Sequence, residues 1–153
     1  MGVVPEGDEV PEVVVHQRPE LLLQYPMVVP QLKTGAEIMN VVIIGNGMYA
    51  TGRGTDAYGT ILPAVFEWKR FGSTIEKLVI VGTNGKHSSQ AKKKVKELSS
   101  KTGIFIETEV YPKEGDVNRN AYKEVIRAIE KPACAIVVVP DHLHYQVVSD
   151  CLK

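Results

Sequence analysis

Val41, Val42, Ile43 and Ile44 run without a polar break into Gly45-Asn46-Gly47-Met48-Tyr49-Ala50. An unbroken β-branched run that stops at glycine fits a strand buried on both faces, and such strands belong to parallel sheets. Glycine at 45 suits a tight turn at the strand's end. Glycine at 47 leaves the backbone bare where a pyrophosphate would approach, and Ala50 lets helix and strand pack closely. A helix N-terminus beyond such a turn offers N–H groups and partial positive charge to a phosphate. An ordinary turn that needs glycine for its dihedral angles is spelled the same way. The pattern therefore takes its meaning from its surroundings.

Those surroundings alternate. A glycine-rich passage over 51–59 repeats the spacing as Gly52-x-Gly54-x-x-Ala57, and a helix is expected over 60–71. Thr60 is its cap, Pro63 falls in its first turn, and Ile61, Leu62, Val65, Phe66 and Trp68 form its apolar face up to Gly72. A second buried strand covers 78–81. A helix follows from Ser88 or Ser89 to Gly103, with Ala91, Val95 and Leu98 inward and Lys92, Lys93, Lys94 and Lys96 largely wet. A third strand is expected over 104–110, and a helix over 118–131 with Ala121, Val125, Ile126 and Ile129 inward. A fourth strand covers 135–139, and Pro140 leads into a last helix. Strands alternating with helices predict a doubly wound α/β parallel sheet, with ligands bound beyond the carboxyl ends of its strands. The loops at 45–50, 82–87 and 140–144 would share that edge.

Residues 1–38 have a different character. Pro5, Pro11, Pro19, Pro26 and Pro30 all fall there, which predicts an irregular extension or the tail of an upstream segment. Residues 39–153 make the domain. Lys plus Arg balances Asp plus Glu at 18 each, so the composition gives no footprint for nucleic acid. No apolar run is long enough to span a bilayer, and no basic-then-apolar leader opens the chain. Cys134 and Cys151 adjoin apolar segments and read as buried free thiols of a reducing cytoplasm. His142 and His144, without a third close ligand, make a poor metal site.

With Gly45-x-Gly47-x-x-Ala50, the unit after residue 78 and Val138-Val139-Pro140-Asp141-His142-Leu143-His144 in view, residues 38–153 resemble a known family. It is the N-terminal domain of the glucose–fructose oxidoreductase, inositol dehydrogenase and MocA family. The resemblance implies a Rossmann domain that binds NADP or NAD, within an enzyme that moves a hydride to or from a sugar, inositol or related polyol. Carried onto this chain, it implies cofactor contacts at Gly45, Asn46, Gly47, Met48, Tyr49, Ala50, Thr83, Asn84, Lys86, Pro140, His142 and His144. Glu130-Lys131-Pro132 mimics the family's catalytic motif but precedes the fourth strand, where the family's follows the fifth. It reads instead as a helix end and a stop signal. No catalytic residue is therefore assigned in this chain, which would be inactive alone and gain its polyol site as part of a longer protein; a homo-oligomer is a possible assembly. Non-catalytic nucleotide sensing is the other use of such a domain.

Two features depart from the family pattern. From Gly45 to Gly82 is 37 residues (82 − 45), against about 20 between the glycines and an acidic ribose contact. The surplus lies in 51–59, where Arg53 could add a phosphate contact, the loop could form a lid, or the insertion could be superficial. The second departure is Gly82-Thr83-Asn84-Gly85-Lys86-His87, which contains no acid. Its hydroxyl, amide and ammonium donors suit a 2′-phosphate, so NADP is the expected preference. The same residues, with Ser88, also resemble the ATP loop of Mur ligases and folylpolyglutamate synthases, except that His87 stands where that loop carries Gly, Ser or Thr.

Overall fold

The computed structural model describes residues 38–153, so all but one residue of the proline-rich extension lie outside the described residues. Four strands, β1 (Met39–Ile44), β2 (Ile75–Val81), β3 (Glu107–Tyr111) and β4 (Ala133–Val137), form one sheet in the order β3-β2-β1-β4. Every pairing is parallel. That order reproduces the first four places of the doubly wound arrangement 3-2-1-4-5-6.

Helices cover both faces. On one, α2 (Ile61–Arg70) and α3 (Gly85–Thr102) seat Leu62, Val65, Phe66, Ala91, Val95 and Leu98 on Val41, Ile43, Leu78 and Ile80. On the other, α4 (Ala121–Ala128) and α5 (Asp141–Cys151) bring Ala121, Val125 and Val147 to Val42, Ile44, Val79 and Val81. The strands of β1 and β2 therefore lose water on both sides, which is what their unbroken apolar spelling predicts. Burying a side chain such as Leu62 or Phe66 stabilises the fold by about 1.5–3 kcal/mol. Phe66→Ala would remove that and leave a cavity, at a cost of about 3–5 kcal/mol.

Several boundaries differ from the sequence expectation. A four-residue helix, α1 (Met48–Thr51), follows Gly47 directly and stops where Gly52 turns left-handed at φ 72°. The glycine loop thus leads into one short turn, and α2 begins only after the insertion. The third helix opens at Gly85, ahead of Ser88, because the Asn84 side chain accepts from the Lys86 N–H and caps it. β3 begins at Glu107 and α4 spans only 121–128. β4 covers 133–137 and is only partly buried, being the sheet's outer strand, with Val138 and Val139 beyond it. Cys134 and Cys151 are free thiols, half-buried where full burial was expected. Among the described residues no helix is long and apolar enough to cross a membrane.

Candidate dinucleotide edge

Register brings the strand exits to one level. Ile44 aligns with Val81 on one side and Val137 on the other, and Val81 aligns with Tyr111. The ladder continues one step past the strands, with the Gly45 N–H donating to Val81 O at 2.7 Å and the Val138 N–H to Ile44 O at 2.8 Å. Gly45, Gly82 and Val138 therefore leave the sheet side by side at its carboxyl edge. This is the edge at which open parallel sheets take ligands.

The glycines there are not equivalent. Gly45 has φ 117°, and a Cβ on it would lie 2.0 Å from the Val138 carbonyl oxygen. Its glycine is required by the fold. Gly82 would place a Cβ 2.0 Å from Asn46 Nδ2, and Gly85 would place one 1.8 Å from Lys113 O. Both spaces are filled by protein. Gly47 differs on both counts: its φ of −77° is open to any residue, and a Cβ there meets nothing within 4 Å. The fold does not need glycine at 47.

Asn46 is buried, and its amide donates from Nδ2 to Ser88 Oγ at 3.2 Å. Ser88, wholly buried in the first turn of α3, donates to the Tyr111 carbonyl at 2.7 Å. One amide and one hydroxyl thus tie the exits of β1, β2 and β3 together. Thr51, also buried, donates to the carbonyls of Asn46 and Gly47 at 3.2 and 3.3 Å. Ala50 is fully buried, whereas Met48 and Tyr49 stand exposed at the rim. The spacing of the glycines pointed to Asn46; the inward turn of Ser88 had no signal in the sequence, where it read only as a helix start.

Beyond β2, Thr83 and Lys86 are exposed and Asn84 is partly so. The backbone here is already engaged, with the Gly85 N–H donating to Asp116 O at 2.8 Å and the Lys86 N–H to Asn84 Oδ1 at 2.9 Å. The side chains of Thr83 and Lys86 remain as the outward donors. On the far side, Pro140 occupies the N-cap of α5, His142 is exposed and His144 is half-buried. Among the described residues, no group of three His, Cys, Asp or Glu side chains is placed to hold a metal ion.

A cavity of about 690 Å³ runs along α4, β2 and β3, from Asn40 and Glu76 up to Tyr111 and Asp116 near this edge. Five glutamates and Asp116 line it against Lys77 and Lys113. Lys77 pairs with Glu109 at 3.0 Å, and Tyr111 donates to the same carboxylate at 2.7 Å. That hydrogen bond and the Lys77 contact hold the Glu109 carboxyl below its usual range, while the Glu109 contact and burial hold the Tyr111 phenol above its own. The excess of carboxylates would repel a pyrophosphate, so volume alone does not make this the phosphate site.

No family model, curated protein or solved structure matches the chain.

Proposed function

We propose that residues 39–153 form a Rossmann-like domain that binds NADP or NAD at the carboxyl edge of the sheet. The parent activity in this reading is hydride transfer between the nicotinamide and a sugar, inositol or related polyol. One observation carries the proposal: Gly47 keeps a bare backbone beside open space although its dihedral angles permit any side chain. A glycine that the fold does not require fits a role in admitting a pyrophosphate close to the main chain. The short α1 contributes little to this, because a four-residue helix carries only a small dipole. Space, more than helix charge, supports the reading.

The ATP-loop alternative has less in its favour. Its cradle would be the backbone of 82–87, where the spaces at Gly82 and Gly85 are filled by the Asn46 amide and the Lys113 carbonyl. The test is calorimetric titration of NADP, NAD and ATP into the wild type and Gly47→Val. Dinucleotide binding should be lost in the variant while its thermal unfolding stays unchanged. Equal affinity in both proteins would remove the site, and tighter binding of ATP than of either dinucleotide would favour the ligase-like loop.

A further inference from the structure

The two outer strands of the sheet are spelled differently. β3, which among the described residues pairs with β2 alone, carries Glu107 and Glu109, both in contact with Lys77. Charges on an outer strand discourage pairing with another chain. β4 pairs with β1 alone among the described residues, and the run from Ala133 to Val139 contains no charged residue. Its ladder to β1 continues at both ends through Pro132 O and the Val138 N–H. Backbone groups alternate sides along a strand, so the N–H and C=O groups of Ala133, Ala135 and Val137 point away from the sheet.

α5 extends this apolar ledge. It packs on β4, while α4 packs on β2. Asp150 accepts from Tyr122 of α4 and so marks the side of α5 that faces α4. At about 100° per residue, Tyr145 and Val148 lie on the opposite side, over the open edge of β4, and Leu152 follows them. These three are 86, 40 and 83% exposed. The ends of the ledge are oppositely charged. Lys131 is exposed before β4 and Asp141 after it, and among the described residues neither has an ion-pair partner. An antiparallel neighbour of the same sequence would set each base beside the other's acid, whereas a parallel one would set like beside like.

We infer that this ledge is a contact between two copies of the chain: β4 pairs antiparallel with β4 of a second copy, joining two four-stranded sheets into one. The two-fold axis of such a pair stands perpendicular to the sheet, so both α5 helices lie on one face and cover each other's Tyr145 and Val148. One operation thus pairs the open backbone, covers the apolar flank and matches the charges. The same operation through β3 would bring glutamates against glutamates, which is destabilising. The inference does not depend on the dinucleotide reading.

Sedimentation equilibrium of the chain tests it, with circular dichroism as the control for folding. The wild type should dimerise as its concentration rises. Ala135→Pro removes an outward N–H and spares the ladder to β1, so it should be monomeric where the wild type is dimeric. Lys131→Glu and Asp141→Lys should each weaken the dimer by about tenfold, since each turns two attractive contacts into repulsive ones. Mixing these two variants should restore the wild-type affinity, because each end of the mixed dimer again joins a base to an acid. A wild type that stays monomeric, a dimer that survives Ala135→Pro, or a mixture no tighter than its components overturns the inference.

Discussion

Asn46 and Ser88, 42 residues apart, share a buried hydrogen bond of 3.2 Å that joins the glycine loop after β1 to the first turn of α3. The amide fills the space that a side chain at 82 would need. Ser88 passes the connection on to the end of β3. The distance between the glycine loop after β1 and the loop after β2 is therefore set by side chains, in addition to the sheet that carries both.

Removing that link has a readable cost. Ser88→Ala leaves the Asn46 amide buried without its acceptor, which should destabilise the domain by about 1–3 kcal/mol. Urea unfolding measures it, and a midpoint within error of the wild type would show that the amide finds another partner. Gly82→Ala should also destabilise, because its Cβ would collide with the amide. It should do so much less when Asn46 is Ala, a coupling that a double-mutant cycle detects.

Gly45 and Gly47, separated by a single residue, should respond in opposite ways. Gly45→Ala meets both a left-handed φ and the Val138 carbonyl, so it should unfold more easily, by several degrees in Tm. Gly47→Ala should leave Tm in place, since its dihedral angles and surroundings accept a Cβ. Equal losses of Tm in the two variants would contradict the difference in their surroundings.

The sheet was legible because its evidence is local. The β-branched run at 41–44 and the one at 78–81 announce burial on both faces, and the structure buries them so. β4 was expected over 135–139 and covers 133–137, and its place at the sheet's outer edge, which depends on pairing, leaves it half-exposed. The helix start at Gly85 was missed because Ser88 is a strong capping residue by type. Its hydroxyl is instead used by Asn46 and Tyr111, residues distant in sequence. Likewise Arg53 stood out by charge, but its partner could not be read, since only the docking of the insertion on α3 brings it to His87.

Acid should loosen the packing of α5 on α4. Asp150 accepts from Gln146, Lys153 and Tyr122, and these hydrogen bonds hold its carboxyl well below its ordinary value of 3.8. Burial and the same bond push the Tyr122 phenol up to about 12. A depressed carboxyl contributes stability that is fully present above its unfolded value and is lost as pH falls through the lowered folded one. The Tm advantage of wild type over Asp150→Asn should thus be constant above about pH 5 and shrink steadily below about pH 4. A gap that stays the same at pH 3 would mean that the carboxylate charge does not hold these helices.

Cofactor preference should turn on the first turn of α3. A 2′-phosphate brings roughly two negative charges, and hydrogen bonds to charged groups are worth about 1.5–3 kcal/mol each. Thr83 and Lys86 face outward at this place, and the first turn contains no acid to repel the phosphate. NAD would leave the same donors to water at little cost, since they are exposed. NADP should therefore bind at least tenfold more tightly, a factor that needs only about 1.4 kcal/mol. Lys86→Glu exchanges an ammonium for a carboxylate, which would accept from a ribose 2′-hydroxyl and repel a phosphate. It should erase or reverse the preference. Because the Lys86 side chain is solvent-exposed and only its backbone N–H donates to the capping Asn84 side chain, the substitution should leave α3 and the thermal midpoint intact. Paired titrations of wild type and variant at fixed ionic strength, repeated at higher salt, read the outcome, and the NADP advantage of the wild type should narrow as salt screens the exposed charges. Equal affinities in the wild type, or a preference that Lys86→Glu does not change, would place the 2′-phosphate away from this loop.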